Sequence, residues 1–233
     1  MSILDILWKM IRYNLKIVFG NKFVYFLTGA TAFFILVTVI NILDNANPRE
    51  STVYYLLLFP GILLVFYPST FGIQNDEDAR VLEILFGIPN YRYKVWLVRL
   101  LLMFAITFLV LLALSFLAGL SIYPTDVVAM TSQLMFPITF LGCLGFMFST
   151  WIKNGNGTAV MMIIVGIIFW ILAGILDESA WNLFLNPFEA PADDMNEVVW
   201  ERMLYYNRIY LSVGSVLALL YGLVNLQKRE KFV

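Results

Sequence analysis

Leu100–Tyr123 reads LLLMFAITFLVLLALSFLAGLSIY, a run with no Asp, Glu, Lys or Arg, entered directly after Arg99. The hydrocarbon core of a bilayer is about 30 Å thick and needs roughly 20 apolar residues of α-helix at 1.5 Å rise per residue. A run of this length and composition is a membrane span. Five more charge-free runs share its character, at 23–43, 51–75, 127–152, 154–176 and 209–227. Pro60 and Pro68 fall inside the second and Pro137 inside the fourth, which spanning helices tolerate. The sequence therefore predicts an all-α integral membrane protein with six transmembrane helices, the whole of 1–233 forming one membrane domain.

Composition agrees with this. Of 233 residues, 61% are hydrophobic and only 13% charged, with a mean hydropathy of +0.83. Soluble domains carry about 25% charged residues. Histidine is absent, which removes the usual neutral-pH general base and the commonest metal ligand, so hydrolytic and zinc chemistry fall away and no metal site is expected. The lone Cys143 lies in an apolar run and reads as a packing residue. A net charge of −1 gives no pull toward nucleic acid, and none is expected as a partner.

Residues 1–22 place Leu4, Leu7, Ile11, Leu15 and Val18 on one helical face and Asp5, Lys9, Arg12 and Lys16 on another. That is an interfacial amphipathic helix leading into the first span and touching membrane lipid, with Trp8 and Tyr13 at the headgroups. Its scattered charges do not fit a cleavable signal peptide. Orientation follows from Lys and Arg near the span ends. Lys9, Arg12, Lys16, Lys22, Arg80, Arg92, Lys94, Arg99, Lys153, Lys228, Arg229 and Lys231 fall on one side, and Arg49, Arg202 and Arg208 on the other. Both termini are thus expected in the cytoplasm, with Asp177, Glu178, Glu189, Asp193, Asp194, Glu197 and Glu201 in a large outer loop.

The stretch 76–89 is the most informative connection. Asp76, Glu77 and Asp78 suit the positive end of a helix dipole, with Asn75 spaced as an N-cap, while Gly87 and Pro89 end the segment. A short amphipathic cytoplasmic helix is expected, as a connector or as a face offered to a groove on another protein. The acids, then Arg80-Val81-Leu82-Glu83-Ile84-Leu85, then Ile88-Pro89 and the basic, aromatic Tyr91-Arg92-Tyr93-Lys94, resemble a signature of the ABC transporter type 2 permeases, E-x-x-x-G-T-L-E-x-L-x-x-x-P between spans two and three. The sequence departs from it at Ala79-Arg80-Val81, where a small-residue/Thr pair is common.

The resemblance implies the membrane subunit of an ATP-driven exporter in a plasma membrane, the bacterial inner membrane, working with a second permease chain, identical or homologous. It also implies two copies of a cytoplasmic ABC ATPase, coupled through Asp76, Glu77, Arg80, Glu83, Leu85 and Pro89. No lysine here follows a glycine, so there is no phosphate-cradling G-x-x-x-x-G-K-[ST] loop. The chain is not expected to be an enzyme or to bind a cofactor. ATP and magnesium would belong to the partner.

Polar side chains inside spans, Asn41, Gln133 and Thr139 among them, would line a translocation path or make interhelical hydrogen bonds. Gly214, Ala218 and Gly222 recur every fourth residue, a close-packing face used within the chain or against a second chain. In the outer loop 177–208, Trp181, Phe184, Phe188 and Trp200 suggest segments dipping into the outer leaflet, where the permease family has short re-entrant helices. Gly155-Asn156-Gly157 reads as a turn between spans four and five. The competing functions are an ion-driven transporter or channel and a permease-like assembly subunit of a larger machine. The first predicts an intramembrane ionisable residue or an inverted repeat, and neither is apparent in the six runs.

Overall fold

Charge-free segments in hydrocarbon must satisfy their own backbone groups, and helices do so. The computed structural model of the protein describes residues 18, 22–43, 47–78, 80, 87, 91–152, 154–191 and 195–226. Its helices are α1 (Phe23–Leu43), α2 (Glu50–Asp78), α3 (Val98–Ser121), α4 (Val127–Ile152), α5 (Gly155–Ile175) and α6 (Glu197–Asn225), and a π-helical turn, Arg92–Leu97, runs straight into α3. Six helices are long and apolar enough to cross a membrane, and no strand occurs among the described residues. Most of the interfacial segment 1–22 lies outside the described residues; within it, Val18 is buried in the core.

The first and fourth spans end where the sequence predicts, the third shifts to Val98–Ser121, and three further differences have local causes. Asp76, Glu77 and Asp78 do not open a new helix; they are the last turn of α2. Gly155-Asn156-Gly157 is the first turn of α5 rather than a loop, because the Asn154 side chain caps it by accepting from the Asn156 N–H at 2.9 Å. Finally, α6 starts at Glu197, capped by Asn196, and takes in Trp200, Arg202 and Arg208. The expected re-entrant helices do not appear: among the described residues between α5 and α6, 176–191 forms bends and turns.

Two helices hold the bundle together. α4 packs against α2, α3, α5 and α6, and α2 packs against α1, α3, α4 and α5. Burial follows that centrality: 61% of the most apolar window of α2 is buried, against 11% in α5, which stands at the edge touching α2 and α4. The small-residue stripe of α6 faces α4. A Cβ on Gly214 would lie 2.8 Å from Phe140, and one on Gly222 2.8 Å from Phe146, while Ala218 between them is buried. This face is therefore occupied within the chain. Cys143 is buried and free, as a packing residue should be.

Candidate functional site

At the end of the bundle where α2 stops and α3 begins, the chain leaves and re-enters under tight control. Three acids in the last turn of α2 oppose the helix dipole. Asp76 is offset by an ion pair to Arg99 on α3, and the Arg99 guanidinium also lies 5.1 Å over the Trp96 ring. Arg80 then turns the chain with φ 54°, its N–H donating to the Glu77 carbonyl at 2.9 Å. This left-handed conformation is one that glycine favours at helix C-termini. On the return, Tyr91 is buried and its hydroxyl donates to the Leu226 carbonyl at the end of α6, at 2.5 Å. Asn225 beside it donates to Thr150 of α4. The ends of α2, α3, α4 and α6 are thus linked around the 76–91 excursion. Of the coupling candidates, Glu77 and Arg80 are exposed. Glu83, Leu85 and Pro89 lie outside the described residues. Asn75 does not cap a helix; it hydrogen-bonds the Tyr67 hydroxyl.

The opposite end carries a feature that the scan for charge-free runs excluded. Arg208, in α6, is 9% exposed. Its Nε donates to Gln133 Oε1 of α4 at 2.8 Å, one terminal nitrogen to Asn207 Oδ1 at 2.7 Å, and the other to the Leu185 carbonyl at 3.3 Å, with the guanidinium 5.4 Å from the Phe136 ring centre. Asn207 in turn donates to the carbonyls of Ala180 and Asn182. Asn186 donates to the Ser51 carbonyl at the start of α2. Together these bonds pin 180–189 as a cap over the bundle end. Phe188 lies with its ring centre 6.1 Å from that of buried Tyr54, Trp181 stacks on Tyr210 at 4.3 Å, and Trp200 is buried. Phe188 thus packs toward the bundle and Trp200 is inside α6, whereas Trp181, although stacked on Tyr210, is 69% exposed. The adjacent pair Asn207-Arg208 at the head of the last apolar run was the available signal for this cluster.

The third feature is a cleft of about 750 Å³ between α2 and α5. On α2 its wall is Tyr55, Leu58, Phe59, Ile62, Phe66 and Ser69, one helical stripe. On α5 the wall is Met162, Gly166, Trp170, Ala173 and Gly174, with Leu141 of α4 behind and Phe184 of the cap above. Asp177 is the charged residue among its lining.

The path residues proposed from sequence do not meet. Asn41, half-buried on α1, donates to its own helix at the Val37 carbonyl. Gln133 is held by Arg208. Thr139 lines a groove of about 290 Å³ with Ser132, Ser212 and Ser215 between α4 and α6. None of the three borders the α2–α5 cleft.

Comparison with protein-family models, with characterised proteins and with solved structures finds no match for this chain.

Proposed function

We propose that the chain is the membrane-spanning permease subunit of an ATP-driven ABC exporter. It would form the translocation path with a second permease chain and take its power from two copies of a separate ATPase. The observation that carries this reading is the 76–91 excursion. Its acid-led motif starts on the last turn of α2 beside the Asp76–Arg99 pair, and the chain returns at Tyr91, hydrogen-bonded to the end of α6. A pull on such a segment reaches three spanning helices at once. The family signature carries glycine four residues after its leading acid; here Arg80 stands four residues after Asp76 and turns the backbone with φ 54°, as a glycine would.

The ion-driven alternative gains little from Arg208. Guanidinium does not lose its proton in proteins, so a hydrogen-bonded arginine anchors rather than relays. The coupling reading is tested by co-purifying the chain with a candidate Walker-motif ATPase and comparing wild type with Glu83→Lys and Leu85→Asp. Loss of the complex or of substrate-stimulated ATP hydrolysis is expected, with the thermal unfolding midpoint of the permease unchanged. An intact complex with unchanged stimulation in both variants would refute it.

A further inference from the structure

The cleft between α2 and α5 has the shape and chemistry of a binding site, and it stands apart from the ATP-coupling segment. Between Tyr55 and Ser69 the α2 wall extends about 21 Å, and between Met162 and Gly174 the α5 wall about 18 Å, at 1.5 Å per residue. One leaflet of a bilayer core is about 15 Å deep. The cleft is therefore somewhat longer than one leaflet, long enough to take one lipid tail running inward from the cap end. Its volume, about 750 Å³, is within the range of small-molecule sites.

Two glycines open onto the space. Gly166 and Gly174 both face the cleft, and a Cβ on either would meet no atom within 4 Å. Glycine inside a helix costs up to about 1 kcal/mol relative to alanine. Close packing does not require it here, in contrast to Gly214 and Gly222, each of which presses on a phenylalanine.

Apart from Ser69, the polar lining residues Tyr55, Asp177 and Asn182 lie toward the cap end. Ser69 at the inner end is bonded to the Phe66 carbonyl, the Asn182 side chain accepts from the Phe184 N–H, and the Tyr55 hydroxyl donates to Glu189 Oε2. The Ser69 and Tyr55 hydroxyls and the Asn182 amide oxygen are engaged within the protein, so the inner part of the cleft offers a ligand mainly apolar contact. Asp177 is exposed at the cap end and forms no ion pair among the described residues. Glu189, bonded by the hydroxyl of the cleft-lining Tyr55, is a second carboxylate at the cap end.

We infer that this cleft binds a membrane-partitioned cationic amphiphile, one alkyl chain lying between α2 and α5 and its ammonium head at Asp177. An apolar slot long enough for one tail accommodates the chain, and an acidic mouth without a paired cation selects the head. A zwitterionic lipid fits less well because its phosphate would meet the Asp177 carboxylate.

The test uses the full chain in phosphatidylcholine nanodiscs, without any ATPase. Trp170 in the cleft reports binding through quenching by a brominated alkyl chain, its signal isolated by subtraction of a Trp170→Phe variant. Brominated hexadecyltrimethylammonium is compared with brominated hexadecanol and brominated hexadecyl sulfate at equal bilayer mole fractions. Saturable quenching by the ammonium probe is expected at about one-fifth the mole fraction needed by the alcohol, the strength of a well-made exposed ion pair. Asp177→Asn should remove that fivefold preference and keep tail binding. Gly166→Leu and Gly174→Leu, which project into open space, should abolish saturable quenching by every probe. Equal saturation by the three probes, an unchanged preference in Asp177→Asn, or saturable binding in both leucine variants would overturn the assignment. Because the readout needs no ATP, failure here leaves the coupling proposal standing, and loss of coupling in the Glu83 or Leu85 variants leaves this one.

Discussion

Replacing Gln133 with leucine asks whether the cluster beneath the cap is an anchor. Gln133 Oε1 accepts the Arg208 Nε proton at 2.8 Å, and Arg208 is 9% exposed. Without that acceptor one N–H of a permanent cation is buried with no partner. Hydrogen bonds to charged groups contribute about 1.5–3 kcal/mol in soluble proteins. Polar contacts between membrane helices average about 0.6 kcal/mol and reach about 1.7. The charge on Arg208 puts this bond at the upper end of the membrane scale, so Gln133→Leu should destabilise the chain by about 1.5–2 kcal/mol. Arg208→Met removes the cost of burying the charge but strands Gln133 Oε1, Asn207 Oδ1 and the Leu185 carbonyl, for a net loss of about 2–3 kcal/mol. Both single changes break the same bond, so the double variant should lose about 1–1.5 kcal/mol less than their sum. Equilibrium unfolding in mixed dodecyl maltoside–SDS micelles measures the cycle, and hydrogen exchange over 177–191 shows whether the cap loosens in the Arg208 variant. Wild-type stability in Gln133→Leu, together with a cycle that closes additively, would refute the anchor and return Gln133 to a path-lining role.

Two further outcomes follow from the backbone. Arg80 has φ 54°, a region that costs an L-residue about 1–2 kcal/mol, part of which glycine gives back through its greater freedom when unfolded, so Arg80→Gly should raise stability by up to about 1 kcal/mol in the same titration; a decrease would contradict the turn geometry. Gly222→Val places its Cβ 2.8 Å from Phe146 and 3.4 Å from the backbone Cα of Met147, so the α4–α6 seam should lose about 1–3 kcal/mol, whereas Gly166→Ala meets nothing within 4 Å and should be neutral or stabilising; equal effects at the two positions would sink the packing argument.

The spans were legible because absence of charge over some twenty residues has one physical meaning, and the limits 23–43 and 127–152 coincide with α1 and α4. The ends were less so, since a local signal there has two readings. Asp76-Glu77-Asp78 looks like a helix start by the dipole rule, yet α2 runs through it because Arg99, 23 residues on, offsets Asp76. Arg208 looks like the edge of a loop, yet it lies within α6 because its partners come from Gln133 and Leu185, far away in sequence. Inspection of one run at a time cannot register such compensation. The cleft was hidden for a related reason: Tyr55, Phe59 and Phe66 read as ordinary apolar positions of one span and Gly166 and Gly174 of another, and only the pairing of α2 with α5 joins them.

Polar bonds and apolar contacts hold this bundle in different ways. A polar group released into hydrocarbon finds no replacement, so the Asp76–Arg99 pair, the Tyr91–Leu226 bond and the Arg208 cluster each resist opening. An apolar seam has no such restraint, because lipid tails contact leucine and phenylalanine as favourably as a neighbouring helix does. α5 is tied by a polar bond at its start, where the Gly155 N–H donates to Gln74 Oε1 at 2.5 Å, and beside the cleft it meets α2 and α4 through apolar side chains. A tail that fills the cleft therefore displaces lipid and leaves every clamp intact. Tail contact alone then distinguishes a ligand poorly from the surrounding bilayer, and selectivity has to arise at the mouth, where Asp177 is the charge a head group meets.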